Sequence, residues 1–152
     1  MSDVNISLGT TLGVVVGEPA TYDDTGFEAL TFQDVGEISS FPEMGGEAEV
    51  ATHTPVKSGV VAKRAGSRDY GSVVFPMAHV FGEAGQDELQ SGFDGTNAGK
   101  VYSIKVDNPT IGALFFTAVI TSFKFTPGDA NSIAQASAGL ALTNKVIAKA
   151  AA

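Results

Sequence analysis

The chain has 152 residues, no Cys and a formal net charge of −8 at pH 7. This length predicts a single domain over residues 1–152, and the missing thiols exclude disulfides and thiolate metal sites. The acidic balance argues against tight nucleic-acid binding, which needs Lys and Arg to neutralise phosphates. No apolar run approaches the ~18 residues of a membrane-spanning helix, so we expect no membrane partner. The first residues lack a positively charged secretory leader, so we expect cytoplasmic synthesis.

The N-terminal third is predicted to consist of short β-strands. Runs of β-branched or alternating residues, separated by Gly, Pro and Asp turn residues, occur at Thr11–Val16, Phe27–Gln33, Val35–Ser40 and Glu47–His53. In the last of these runs the alternation places Glu47, Glu49 and His53 on one face. That face is expected to meet water or to line an interface.

The rest of the chain is predicted to add one helix and further strands. Pro76 cannot donate to a sheet ladder, so the predicted strand Tyr70–Phe81 belongs at an edge or beside a bulge. Acidic residues in the first turns and Gly92 as a C-terminal cap predict a helix over Glu83–Ser91. Alternation predicts strands at Lys100–Val106, Leu114–Thr126 and Ser132–Leu142, the last continuing irregularly to Ile147, with residues 148–152 as a frayed tail.

Charge is segregated along the chain. Residues 1–56 carry ten carboxylates and no Lys or Arg, whereas the next segment supplies Lys57, Lys63, Arg64 and Arg68. In a head-to-tail assembly, a basic loop that faces an acidic surface of the next copy fixes the register of the contact. The alternatives are a solvated turn and a phosphate site at Lys57-Ser58-Gly59, although the Gly-Lys-Ser/Thr order of a phosphate loop is missing.

The block from Phe27 to Gly71 resembles the major tail tube protein of long-tailed, siphophage-type bacteriophages. The resemblance rests on an aromatic strand, then Val35-Gly36-Glu37-Ile38 with Phe41-Pro42-Glu43, then the strand that begins at Glu47, and a Lys/Arg/Gly loop that ends in Ser67-Arg68-Asp69-Tyr70-Gly71. A short helix with Gly85-Gln86 and Leu89, followed by three strands, is also similar to that family.

The resemblance implies a mainly β (α+β) fold, a β-sandwich or barrel-like domain with one short flanking helix. It also implies a long inter-ring loop at about Phe41 to Asp69, with Lys57, Lys63, Arg64 and Arg68 in contact between rings. Six copies would close a ring, and stacked rings would form a tube in the virion tail, synthesised in the host cytoplasm. Implied partners are further copies, a tape-measure protein and tail tip or terminator proteins. No cofactor, metal or catalytic site is expected.

DNA would pass through such a tube without specific binding, so its bore is expected to be net acidic. Inward Lys or Arg would hold the duplex by its phosphates, whereas carboxylates leave it free to slide. Glu37, Glu47 and Glu49 are the candidates for the lumen, because they lie on polar faces of strands that suit an inner sheet.

Other classes of protein remain open at this point. The tube protein of a contractile tail, a bacteriocin particle or a type VI secretion system would have a similar fold. A small-ligand-binding β-barrel would explain the apolar alternation but not the charged loop. An enzyme is the weakest alternative, because His53 has no obvious nucleophile beside it and the sequence around Glu47 and Glu49 offers nothing to separate their pKa values.

Overall fold

The chain folds into a curled antiparallel sheet, two helices and a separate two-stranded sheet, in a computed structural model that describes residues 8–150. The strands are β1 (Thr11–Val16), β2 (Gln33–Val35), β3 (Glu47–His53), β4 (Ala62–Asp69), β5 (Ser72–Ala78), β6 (Val101–Asn108), β7 (Gly112–Thr126), β8 (Gln135–Leu142) and β9 (Ile147–Ala150). The helices are α1 (Asp24–Glu28) and α2 (Ala84–Asp94). The mainly β fold class expected from the sequence is confirmed.

The main sheet has the order β2-β1-β6-β7-β8-β5, with β9 added to β7. Its two edges approach each other, because the chain that leaves β2 forms an antiparallel bridge from Ile38 to Met77 of β5. Ser39 N donates to Pro76 O at 2.8 Å across this seam. In an antiparallel strand the nitrogen and the carbonyl oxygen of one residue point to the same side. Because Pro76 O points to the seam, the Pro76 nitrogen also points there, and its missing N–H removes no hydrogen bond to β8. The edge position predicted for this strand is confirmed.

Large side chains fill the inside of the curled sheet. Fully buried residues come from five strands and include Leu12, Phe75, Met77, Tyr102, Ile104, Phe116 and Leu140. Burial of each such side chain stabilises the fold by roughly 1.5–3 kcal/mol. The interior is therefore a packed core. The apolar residues of the alternating pattern that predicted the strands are the ones that face it.

α1 takes up the first two residues of the predicted strand Phe27–Gln33, and only Gln33 of that segment lies in a strand, so the prediction is wrong. Asp23 caps the helix, its Oδ1 accepting from Gly26 N at 2.7 Å, and Phe27 stacks on Phe115 with ring centroids 5.3 Å apart. A local cap and one buried aromatic ring thus outweigh the strand propensity of the segment. The next predicted strand, Val35–Ser40, is also displaced, since β2 ends at Val35 and only the single bridge at Ile38 follows.

α2 confirms the predicted helix and closes over the sheet. Glu83 caps its N-terminus, with Oε2 accepting from Gln86 N at 2.7 Å. Gly92 does not cap the C-terminus as predicted, because the helix continues to Asp94 and Gly95 is the cap. A Cβ at Gly92 would lie 2.5 Å from Ile120 Cδ1, so glycine is needed there for close packing. Burial, and then the hydrogen bond to Glu88, raises the pKa of Tyr102 beneath the helix to about 12.

The C-terminal strands show one confirmed prediction and one error. β8 falls within the predicted strand Ser132–Leu142 although its alanines favour helix. Residues 148–150 are not frayed, because β9 pairs with the first part of β7, from Gly112↔Ala150 to Phe115↔Ile147. β7 extends well beyond its pairing with β8, and β9 occupies the edge that this extension leaves. Residues 151 and 152 of the predicted tail lie outside the described residues.

Candidate functional site

The long loop predicted between Phe41 and Asp69 contains a regular β-hairpin. We call β3, β4 and their connecting turn the arm (residues 47–69). The strands pair from Glu47↔Asp69 to His53↔Ala62, and every residue in them is exposed. Within residues 8–150, neither strand packs extensively on any other helix or strand. A two-stranded hairpin alone is marginally stable in water, so an arm of this kind needs a partner surface to hold its shape.

A β-bulge in β4 sorts the charges of the arm. The pairs Ala48↔Arg68 and Val50↔Ala65 are two residues apart on β3 but three apart on β4, so β4 carries one extra residue. Without the bulge, Lys63 and Arg68 would point to opposite faces, since side chains alternate along a strand. With it, both lie on the same face as Val50. We call this the basic face.

The opposite face of the arm is mainly acidic. Cross-strand partners share a face, so Glu47↔Asp69 and Ala51↔Arg64 define this side, and alternation adds Glu49 and His53. We call it the acidic face. The arm therefore presents cations to one side and three carboxylates with one Arg to the other, which is the arrangement that a repeated contact between identical arms can use.

The four predicted inter-ring residues all lie on the arm, but the structure divides them. Lys63 and Arg68 share the basic face, Arg64 lies on the acidic face, and Lys57 lies in the turn at the tip. That turn is held by Gly59, which has φ 67° and whose N–H donates to Pro55 O at 2.8 Å. Alternation alone could not group these residues correctly, because the bulge is not visible in the sequence.

The base of the arm is fixed to the core. Tyr70 packs against the core cluster, and a Cβ at Gly46 would lie 2.7 Å from its Cδ1 atom. Asp69 Oδ1 accepts from Gly71 N at 2.8 Å, and Gly71 O accepts from Leu142 N at 2.9 Å. These contacts define the direction in which the arm leaves the sheet.

Two of the three lumen candidates, Glu47 and Glu49, lie in the strand predicted for them, Glu47–His53, but none of the three lies in the curled sheet. Glu37 lies in no strand: its φ of 64° turns the chain from β2 towards the seam with β5. Glu47 and Glu49 lie on the acidic face of the arm and not in the curled sheet. The lumen role of these three residues stays a prediction, without the support of an inner-sheet location.

An apolar cleft that was not expected from the sequence lies beside the arm. We call it the end cleft: it has a volume of about 680 Å³ and lies where β7 begins. Phe41, Pro42 and Met44 form one wall, and Ile111 and Leu114 lie on the other side. The apolar run Phe41-Pro42 was a signal for it, but the opposite wall comes from residues some 70 positions away.

A cluster of exposed aromatic rings lies at the other end of the sheet. We call Phe81, Phe125 and His79 the aromatic patch. The His79 ring lies 4.3 Å from the Phe81 ring and 4.7 Å from the Phe125 ring, both edge to face. Phe81 is 90% exposed. Edge-to-face contact with His79 thus orients two apolar rings at the surface.

In residues 8–150, no group of three or more His, Asp or Glu side chains could hold a metal ion. His53 is exposed on the acidic face of the arm. None of the helices in this part of the chain is long and apolar enough to cross a membrane.

Comparisons with known proteins identify the fold. No family model and no curated protein sequence matches the chain. A chain of the anti-feeding prophage baseplate, a cryo-EM structure with six-fold symmetry, matches with a TM-score of 0.71 at 13% identity, over 99% of this chain and 98% of that chain. A chain of the tail of the empty gene transfer agent particle, refined with C6 symmetry, gives 0.67 at 19% identity, over 97% and 100%. The SPP1 tail tube gives 0.59 at 13% identity, over 95% and 78%.

These identities show a shared fold and not a shared function. The shared fold covers nearly the whole of this chain, including the arm. It also extends to the sheath-tube complex of an extracellular contractile injection system, with a TM-score of 0.59 at 16% identity over 91% of this chain and 88% of that chain.

Proposed function

We propose that the chain is the structural subunit of a tail tube, in which six copies close a ring and the rings stack into a conduit for DNA. One observation carries the proposal: both faces of the arm are exposed, one basic and the other mainly acidic. Such a hairpin is only marginally stable in a monomer, whereas its two charged faces can take part in a contact that repeats from copy to copy. The fold likeness to tail and tube chains of particles with six-fold symmetry supports it.

The siphophage type is proposed from the sequence resemblance between Phe27 and Gly71. The fold supports a tube subunit in general, because structures of both a tail tube and a contractile injection system share it. The proposed partners follow from the same resemblance: further copies, a tape-measure protein in the bore, and tip and terminator proteins at the two ends of the tube. The subunit would act in the tail of the virion and carry out no chemical reaction.

The mechanism that we propose is geometric and electrostatic. The basic face of the arm meets carboxylates of a neighbouring ring, with Lys57 at the tip and Arg64 on the second face adding to the contact. The net charge of −8 per copy leaves a large excess of carboxylate on the remaining surface. A bore lined by part of that excess repels DNA and leaves it free to slide, with Glu37, Glu47 and Glu49 as the candidates.

The small-ligand-binding barrel has less support. Such barrels hold their ligand in the interior, which here is filled by Phe75, Tyr102 and Phe116, all fully buried. A ligand would have to use the end cleft, and the exposed arm would then have no function. A protein partner, in contrast, gives the exposed arm a function.

Negative-stain electron microscopy of the purified chain tests the proposal. We expect rings or tubes with six-fold end views at high protein concentration. A uniform population of monomers at every concentration and salt, together with a melting temperature that rises with a small apolar ligand, would support the barrel instead and overturn the proposed function.

A further inference from the structure

Two apolar surfaces without a partner lie at opposite ends of β7. Leu114, near its start, lines the end cleft, and Phe125, near its finish, belongs to the aromatic patch. β7 has 15 residues, and at about 3.3 Å per residue Leu114 and Phe125 are separated by roughly 35 Å. One surface is concave and the other projects. They cannot meet within a single copy.

The aromatic patch has the properties of a contact surface. Phe81 is 90% exposed and Phe125 is 46% exposed, and Ile133 nearby is 75% exposed. Exposed apolar side chains that form a continuous cluster mark an interaction site more often than scattered ones do. Since His79 holds both rings, the patch keeps its shape before any contact forms.

The end cleft has an unpaired carboxylate in its lining. Glu43 lies there and takes part in no ion pair within residues 8–150. Lys124 does not share the face of Phe125, because the two are neighbours on β7 and adjacent side chains point to opposite faces of a strand, so apolar character and shape, and not charge, match the two surfaces.

Other charges at the two ends are already engaged inside the chain. Lys149, at the end cleft, pairs with Glu28. Asp129, beyond the end of β7, accepts from the Ser132 hydroxyl at 2.8 Å and from Asn131 N at 3.1 Å. The hydrogen bonds lower the pKa of Asp129, so it keeps its negative charge and lends no support to a charge match between the two surfaces.

We propose that the aromatic patch of one copy inserts into the end cleft of the next copy, so that Phe81 and Phe125 pack against Phe41, Met44 and Ile111. The inference rests on the proposed tube, and it assigns the surfaces that join ring to ring. Two different patches at opposite ends of a subunit make a head-to-tail contact that does not close on itself and so extends indefinitely. The arm begins three residues after Met44, so the arm and the cleft meet the same neighbouring copy.

Cross-linking through introduced cysteines tests this contact directly, because the chain has no Cys of its own. Phe81→Cys with Ile111→Cys places one thiol in the patch and one in the cleft, both at exposed positions. Bridged cysteines need Cα atoms less than about 7 Å apart, so no link can form within one copy. In assembled tubes treated with an oxidant or a short bismaleimide, we expect a ladder of covalent multimers on a denaturing gel.

The matched control is Phe93→Cys with Ile111→Cys, since Phe93 is also an exposed aromatic residue but lies on α2 away from the patch. Tubes that give no ladder with the first pair, or an equal ladder with the control pair, would overturn the contact and leave the proposed tube intact. Failure of the unmodified chain to form rings or tubes would instead refute the proposed function.

A second variant measures the contribution of the patch. Phe81→Ser removes the most exposed ring without touching the core, so we expect an unchanged melting temperature, intact rings and at least a tenfold rise in the protein concentration needed for tubes. Tube formation at the wild-type concentration would contradict the inserted patch.

Discussion

Reversing both cations of the basic face, by Lys63→Glu with Arg68→Glu, is expected to abolish ring stacking and leave the subunit folded. Both residues are exposed on the arm, so the free energy of unfolding should change by less than about 0.5 kcal/mol per site. Unit charges 4 Å apart attract by about 1 kcal/mol in water, and a reversal replaces that attraction by an equal repulsion. With two sites in each of six copies, the stacking free energy of one ring junction changes by an amount on the order of 20 kcal/mol.

The assay is tube length and ring count by negative-stain electron microscopy, with circular dichroism melting to confirm folding. Lys100→Glu with Lys145→Glu is the matched control, since it makes the same change in net charge at two exposed positions outside the arm. We expect tubes from the control and only rings from the basic-face variant, with partial recovery at high salt as the repulsion is screened. Equal tube lengths from both variants would refute the role of the basic face.

Further predictions concern the arm, the core, the titration of a buried phenol and the bore. The arm should exchange its amide protons rapidly in isolated subunits and slowly in tubes, and hydrogen exchange that is equally slow in both states would contradict its need for a partner. Gly92→Ala should destabilise the subunit by roughly 1–3 kcal/mol, measured by urea unfolding, because its Cβ would overlap Ile120. The pKa of Tyr102 is raised above that of an unfolded Tyr, so the folded state holds the phenol proton more tightly. The free energy of unfolding should therefore fall as the pH rises from about 10 to about 12. Tyr102→Phe should remove that part of the pH dependence. Glu37→Lys should leave tubes intact and slow DNA release most at low ionic strength, and a map of the tube with Glu37 on the outer wall would contradict its lumen assignment.

The sequence predicts the elements whose signal is local. A run rich in β-branched residues located β1, alternation located β7, and acidic residues in the first turns located α2. α1 was missed because five residues leave no periodicity to detect, and its formation depends on the Asp23 cap and on the burial of Phe27 against a distant strand. β9 was missed because it pairs with the first residues of β7, which β8 does not reach, and the length of that unpaired edge cannot be read from the sequence of β9.

The candidate site was predictable in composition but not in geometry. The basic residues of the arm stood out as a charge cluster, yet their division into two faces depends on one bulge near Gly66. The end cleft and the aromatic patch each combine segments far apart in the chain, so no local pattern could reveal them. In both cases the missing information is the register between strands, which single residues do not encode.

The side chain of Gln86 gives α2 a role in the curvature of the whole subunit. Its Nε2 donates to Gly36 O at 3.2 Å and to Ala78 O at 2.8 Å, and its Oε1 accepts from Val80 N at 3.1 Å. These bonds join the chain after β2 to the chain at the end of β5, so one buried amide of fixed size helps to set the width of a seam that backbone hydrogen bonds also hold. In a closed ring every subunit repeats the same curvature, and any change in seam width is multiplied around the circumference. In the proposed tube, the radius of the conduit would therefore depend in part on a buried amide whose hydrogen bonds all lie within one subunit.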